Sequence, residues 1–366
     1  MGSYKRSIIV ATIIDSFNYG TVMQALATNE TLKNFGEVSF IDYTRRQWTY
    51  RGWKDDIIHN PNFSSAINVA RFALQIPNRK RGEKVFRSFI EKELKLISIE
   101  DYLKRASAFT EDAVFCVGSD QTWNAEYNNG LDRIYFLKDV IDENTKIAYC
   151  ASFGREKLGI EELRETANAL SGFNAISVRE SSGVEILNQA GVSGSTYLFD
   201  PVLLCDTDYW KSLSEEKESE PYILLYVLNE NKKIFEFAKY LAEKVNARIK
   251  IITFDWKTIV PSGFEKVYLP SISEWLSLFR NSKYVVTDSF HGTCFSFLFN
   301  REFYTFDPPK YSIRLNDVLN YFGLQTRNMS KFSISEAIDL DWTNINSKID
   351  EFRIESKDFL VNALGD

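Results

Sequence analysis

The segment "KYVVTDSFHGTCFSFLFN" (283–300) sets an apolar strand, a polar turn and an apolar helix in succession, with His291 at the turn. The chain has only 2 histidines in 366 residues, so an imidazole at a strand-to-helix junction stands out. In open α/β sheets the carboxyl ends of strands face the ligand crevice. A helix that starts there presents unpaired N–H groups and a partial charge of about +0.5, which suits an anion. Ser289 and Thr293 add hydroxyls, and Gly292 lets the backbone approach a ligand closely. His291 stands where a proton donor can reach whatever the helix start holds.

Other strand ends carry polar groups. "FCVGSDQTWN" ends a strand at Val117 and then offers Gly118, Ser119, Asp120, Gln121, Trp123 and Asn124. Asp120 and Gln121 can bind sugar hydroxyls, or Asp120 can act as a base; the structural alternative is an Asx-type turn that caps the next segment. "DSFNYGT" places Asn18, Tyr19 and Gly20 in a similar turn. "ASFGR" and "ISVRE" place Arg155 and Arg179 at or just beyond strand ends. Their planar forks match carboxylates and phosphates, unless each simply pairs with a neighbouring acid. "FYTFDPPKYSIRL" adds Lys310 and Arg314 from a loop stiffened by prolines. A substrate with two anionic groups suits that set of cations.

Several chemistries lack support. His59 in "IIHNPN" reads as a surface-loop residue, and two histidines so far apart do not make a histidine metal centre. Asp206-Thr207-Asp208 and Asp339-Leu340-Asp341 match the Asp-x-Asp signature of metal-dependent glycosyltransferases, but chance matches are expected among 50 acidic residues. There is no P-loop, GxGxxG or Gly-x-Ser-x-Gly. Neither a metal nor a cofactor is expected.

These side chains need elements to position them. At 366 residues the chain exceeds the usual single-core size, and 44% hydrophobic content with 8 prolines indicates a globular protein. "RSIIVATIIDS", "VSFIDY", "DAVFCVGS", "KIAYCASFG" and "AISVRESSG" each run from β-branched residues into a turn and mostly on into a helical pattern. A second series opens at "YILLYVLNENKKIFEFAKYLAEKV". Strands alternating with helices imply βαβ units and parallel sheets. The composition changes between Asp206 and Pro221, and "SISEWLSLF" carries a capping-box helix start. The expected organisation is a Rossmann-like domain over 1–205 and a second over 206–335, then a helical tail over 336–366 that packs back on the first domain. A helical insertion at about 48–110 in the first domain carries the basic cluster Arg79, Lys80, Arg81, Lys84 and Arg87. It reads as a solvated face, with a docking surface for an anionic or lipid-linked substrate as the sharper alternative.

The net charge of −6, with both signs interspersed, implies no nucleic-acid partner. Cys116, Cys150, Cys205 and Cys294 sit in apolar contexts without a CxxC pair and read as reduced core residues. The first apolar run is broken by Asp15 and is too short for a signal peptide or membrane span, so a cytoplasmic location is expected.

Taken in order, "NYGTVMQALA", "VGSDQTWN", "ASFG", "ISVRESSG", "DPVLL", "YVLN", "YVVTDSFHGTCFSFLFNREF" and "NYFGL" resemble the polysaccharide pyruvyl transferase family. The resemblance runs from residue 18 to about 324. It implies a bacterial enzyme of surface-polysaccharide assembly that moves the pyruvyl unit of phosphoenolpyruvate onto sugar hydroxyls, leaving a cyclic ketal and phosphate. It implies two Rossmann-like domains facing across a cleft, as in metal-independent glycosyltransferases of the GT-B type. It makes the histidine of the Phe-His-Gly turn, here His291, essential, and puts weight on a lysine near Lys310. His291 is then either the acid that protonates the enol carbon or a group that steadies the leaving phosphate. Arg155, Arg179 and Lys310 would hold the anionic groups, and Asp120 or Gln121 the acceptor hydroxyls. Where many members carry Asn-Ser-Arg, this chain has Tyr311-Ser312-Ile313-Arg314, which offsets the arginine by one residue. The acceptor would be a lipid-linked or nucleotide-linked sugar met at the inner membrane face, with peripheral membrane contact. A nucleotide-sugar glycosyltransferase and a non-catalytic binding relative are the alternatives.

Overall fold

The computed structural model describes residues 6–44, 76–217, 220–229, 231–309 and 312–365. The apolar runs become strands buried on both faces, as parallel sheets flanked by helices require. In the first lobe these are β1 (Ser7–Ala11), β2 (Glu37–Ile41), β3 (Leu96–Ile97), β4 (Ala113–Val117), β5 (Thr145–Ala151), β6 (Ala175–Val178) and β7 (Thr196–Tyr197). They pair in parallel in the order β3-β2-β1-β4-β5-β6-β7. The second lobe has β8 (Tyr222–Tyr226), β9 (Arg248–Thr253), β10 (Phe264–Tyr268), β11 (Tyr284–Thr287) and β12 (Glu302–Thr305). These are also parallel, in the order β10-β9-β8-β11-β12.

In each sheet the chain reverses its direction of travel once, between β1 and β4 in the first and between β8 and β11 in the second. Loops that leave adjacent strands in opposite directions open a crevice at such a point. Both crevices are pinned by side chains. Thr12 Oγ1 after β1 donates to the Ser119 carbonyl after β4 at 2.6 Å. Asp288 after β11 accepts from the Leu228 and Asn229 amides after β8 at 2.7 and 3.0 Å.

The helices that matter for the cleft are α1 (Tyr19–Leu32), α2 (Ser181–Gln189), α3 (Pro201–Leu204), α4 (Ile272–Arg280), α5 (Phe290–Leu298), α6 (Ile313–Phe322) and α7 (Trp342–Leu364). The capping box read at Ser271 and Glu274 opens α4. Helix α7 packs on the first lobe: Phe352 stacks on Phe199 at 4.0 Å between centroids, and Tyr149 shares a 2.8 Å hydrogen bond with Ser356.

Two features depart from the sequence reading. Much of the expected insertion, residues 45–75, lies outside the described residues, and its described remainder is not wholly helical. Leu96–Ile97 forms β3, the edge strand beside β2; two apolar residues are too few to show an alternating period. In the basic cluster, Arg87 forms a bidentate pair with Asp42 at 2.8 Å and Arg81 donates to the Leu269 carbonyl at 3.0 Å, so both are structural. All four cysteines are free and buried. Among the described residues, no helix is long and apolar enough to cross a membrane.

One apolar core spans both lobes. Tyr19, at the start of α1, stacks on Trp275 of α4 at 5.2 Å and meets Tyr226 of β8 edge-on. Its hydroxyl donates to the Pro270 carbonyl at 2.5 Å, and burial pushes the phenol well above its ordinary range. Replacing Tyr19 by Phe removes that donor and leaves a buried carbonyl unsatisfied. It is expected to lower unfolding stability by about 1 kcal/mol. An unchanged denaturation midpoint would mean that the lobes do not rely on this bond.

Candidate active site

The turn after β11 is built by local hydrogen bonds. Ser289 caps α5 by accepting from the Gly292 amide at 3.3 Å, and Thr293 Oγ1 donates to the Ser289 carbonyl at 3.2 Å. Gly292 has a packing role, since an added Cβ would lie 2.5 Å from Thr287 Oγ1. The glycine thus lets α5 sit close against β8 and β11. This arrangement delivers His291 to the first lobe. Its ring lies over Gly20 at the start of α1, where any Cβ would overlap Nδ1. Its Nε2 faces Asp200 Oδ2 at 3.6 Å. The side chain is 12% exposed, so it borders the cleft without entering the hydrocarbon core.

On the first lobe the centre is Arg179, whose side chain is fully buried. Its Nη1 donates to Asp200 Oδ2 at 2.5 Å and Ser119 Oγ at 3.0 Å, and its Nη2 to Asp120 Oδ1 at 3.2 Å. Asp120 also accepts from Thr21 Oγ1 of α1 at 3.0 Å, and its backbone adopts a left-handed φ of +75°. Asp tolerates that conformation better than most residues. Asp200 caps α3 by accepting from the Val202 amide at 3.0 Å. Burial is the largest influence and works against both carboxylates, but Arg179 together with the neighbouring cations and hydrogen bonds holds each below the usual carboxylate range. Both are therefore ionised near neutrality.

Arg314, in the first turn of α6, is a second cation of the cluster. Its guanidinium lies 5.3 Å over the Phe290 ring, and its Nε has no hydrogen-bond partner. Burial and the charge of Arg179 push it down to about 10, against the pull of Asp120, Glu180 and Asp200. Glu180 is buried beside it: Oε1 accepts from the Phe153 and Gly154 amides at 2.6 and 3.0 Å, while Oε2 has no partner. Arginine cations, carboxylates, an imidazole and two helix starts thus meet between the lobes. The set can hold an anion and move a proton beside it.

The structure brings together His291, Asp120, Ser119, Arg179, Arg314 and Gly20, and Ser289 and Gly292 shape the turn that carries the histidine. Other expected residues are corrected to structural roles. Trp123 is 1% exposed and donates through its indole to the Tyr135 carbonyl, which makes it a core residue. Asn124 caps the short helix Ala125–Asn128 and donates to Gln121 Oε1 at 2.6 Å, so these two amides serve each other and the turn. Asn18 caps α1 through the Gly20 amide, Tyr19 joins the lobes, and Thr293 bonds within its own helix. Gly118 gives space to Thr12, where an added Cβ would come within 3.0 Å. Arg155 turns away to Glu162 at 2.7 Å and Glu126 at 3.4 Å. Lys310 lies outside the described residues. Sequence reasoning missed Asp200, Thr21 and Glu180. The one available signal was Asp200 itself, an acid before a proline at the end of an apolar run, "YLFDPVLL".

A family model described as polysaccharide pyruvyl transferase matches residues 18–309. No curated protein matches the chain. Among solved structures, Arabidopsis thaliana UGT89C1 complexed with quercetin aligns over 99% of this chain and 100% of that one, at 8% identity and a TM-score of 0.50. UDP-GlcNAc 2-epimerase from Neisseria meningitidis bound to UDP-GlcNAc covers 98% of this chain and 99% of its own, at 11% identity and a TM-score of 0.47. The first likeness and the two parallel sheets identify a GT-B-like fold of two Rossmann-like domains.

Two outcomes follow from the cluster. Gly20→Ala should cost about 1–3 kcal/mol of stability, because the new Cβ would overlap the His291 ring and force it to move. That displacement should also reduce turnover on the order of 10²-fold; full activity would show that the ring has room. Arg179→Met leaves two buried carboxylates unpaired, at a cost of about 3–5 kcal/mol near pH 8. In the wild type their lowered pKa values contribute stability above the unfolded value of about 3.9, which is lost as acid protonates them. Without the arginine, burial is opposed only by the weaker remaining neighbours and both groups rise, so the mutant's deficit should shrink as pH falls from 8 to 5. A deficit independent of pH in denaturant titrations would contradict this account.

Proposed function

The chain belongs to the polysaccharide pyruvyl transferase family, and from that membership we propose that it transfers the pyruvyl unit of phosphoenolpyruvate to two hydroxyls of a sugar. A transferase of this kind needs a site for a compact donor bearing phosphate and carboxylate. The observation that best supports the reading is Arg314, whose buried Nε lacks a partner and whose guanidinium lies over Phe290 at the start of α5. Arg179 is already engaged by Asp120 and Asp200, so Arg314 is the cation freer to meet a ligand.

In the proposed reaction a proton adds to the methylene carbon of the enolpyruvyl group, leaving an oxocarbenium-like centre at the adjacent carbon. One sugar hydroxyl bonds to that carbon and loses its proton. A second hydroxyl then replaces the phosphate oxygen, which gives the ketal and inorganic phosphate. His291 serves as the acid for the first step or steadies the departing phosphate. In this reading Asp120, held ionised between Thr21 and Arg179, takes up a hydroxyl proton once the acceptor displaces one of those contacts. The acceptor is a lipid-linked or nucleotide-linked sugar of bacterial surface-glycan assembly, met in the cytoplasm or at its membrane face. The proposed reaction calls on no metal or further cofactor.

The test is phosphate release from phosphoenolpyruvate against a panel of lipid-linked and nucleotide-linked sugars, with excess chelator present. His291→Ala is expected to lower turnover at least ~10²-fold. Arg314→Met is expected to raise the donor KM about tenfold or more, the scale of a lost charged hydrogen bond. Near-normal release by the histidine variant would remove His291 from the chemistry. Transfer from a nucleotide sugar, with none from phosphoenolpyruvate, would replace this reading by a glycosyltransferase.

A further inference from the structure

One polar atom of the histidine has no partner. His291 Nε2 is buried and makes no hydrogen bond, yet it points at Asp200 Oδ2 at 3.6 Å. That is a few tenths of an ångström beyond a hydrogen bond, a gap that a small closure of the lobes would remove. We propose that Asp200 is a positioning residue, which accepts the Nε2–H of His291 across the cleft and so makes Nδ1 the working nitrogen.

Asp200 is prepared for this role from behind. Its Oδ1 is occupied by the Val202 amide, and its Oδ2 is braced by Arg179 Nη1 and Ser119 Oγ at 2.5 and 3.4 Å. An ionised carboxylate accepts hydrogen bonds and donates none. Burial opposes the charge most strongly, but Arg179, His291 and the Val202 amide together hold the carboxyl far below its usual range. An imidazole beside such a group keeps its proton on the facing nitrogen, as when a second group fixes a catalytic histidine's tautomer.

The other charged groups around the ring are otherwise engaged or carry the wrong sign. Asp120 is tied to Thr21, Arg179 and the Gln121 amide. Asp288, in the histidine's own turn, is tied to Leu228 and Asn229. Arg314 and Arg179 are cations and cannot accept the proton. Among the described residues, Asp200 is the one acid within 4.0 Å of the ring nitrogens. At the opposite side of the ring, Nδ1 lies over Gly20, which has no side chain of its own to cover it. Acid and orienting group therefore come from different lobes, and the tautomer is set only when the lobes are together. An open cleft would release the histidine from this control.

The presence of only two histidines makes a direct test feasible. Full-length protein labelled with ¹⁵N-histidine, in alkaline buffer, should give two imidazole spin systems in a two-bond ¹H–¹⁵N spectrum, assigned with His59→Gln. The expected wild-type pattern for His291 is a protonated Nε2 and an unprotonated Nδ1. In Asp200→Asn, whose amide can donate as well as accept, that preference should weaken or reverse while the His59 signals stay in place. With phosphoenolpyruvate, the same variant should lose turnover on the order of 10²-fold at nearly constant donor KM. This activity arm alone rests on the proposed function. A wild type inactive with phosphoenolpyruvate would count against that function, while the tautomer would still decide the role of Asp200. A wild-type His291 protonated on Nδ1 overturns the proposal, whether or not the variant folds. So does a folded Asp200→Asn with an unchanged tautomer.

Discussion

The site depends on one buried guanidinium. Arg179 gathers the polar end of β4, through Ser119 and Asp120, and the cap of α3, through Asp200. A lone buried charge costs several kcal/mol, and a planar fork with two carboxylates offsets much of that cost. Without it, both carboxylates would lose their largest stabilising neighbour and rise toward the protonated form. Asp120 would lose its aim toward α1 and Asp200 its charge toward the histidine. The electrostatics of the whole cleft thus follow from a single side chain at the end of β6.

Rigidity around that centre has two sources. Each sheet's crevice is pinned from strand to strand, by Thr12 on the Ser119 carbonyl in one lobe and by Asp288 on the Leu228 and Asn229 amides in the other. The lobes are then joined by a shared apolar core in which Tyr19 lies against Trp275 and Tyr226. Close approach is allowed by missing atoms. Gly292 lets α5 settle on β11, and Gly20 leaves space for the imidazole that α5 carries. Function sits on helix starts and strand ends whose positions are set by packing, which keeps the geometry reproducible.

Much of the scaffold was legible from local pattern. Runs such as "SIIVA", "AVFCV" and "YILLY" appear as strands, and Ser271 and Glu274 form the capping box. Edge strand β3 was not legible, because pairing with β2 rather than any period of its own makes Leu96–Ile97 a strand. The polar turn after β4 was correctly placed, yet its side chains divide: Ser119 and Asp120 face the cleft, while Trp123 enters the core and Asn124 caps a helix. Spacing along a turn does not say which way each side chain points.

By itself the sequence determined the alternation of strand and helix, the turn that carries His291 and the strand ends where polar groups collect. These follow from short-range rules of periodicity, capping and turn chemistry, which act within a few residues. Tertiary structure alone decided that Asp200 would lie beside His291 and that Gly20 would sit beneath its ring. Those contacts join residues far apart in the chain, across sheets and between lobes. Burial there chooses partners by charge and shape, and no local pattern of residues encodes that choice.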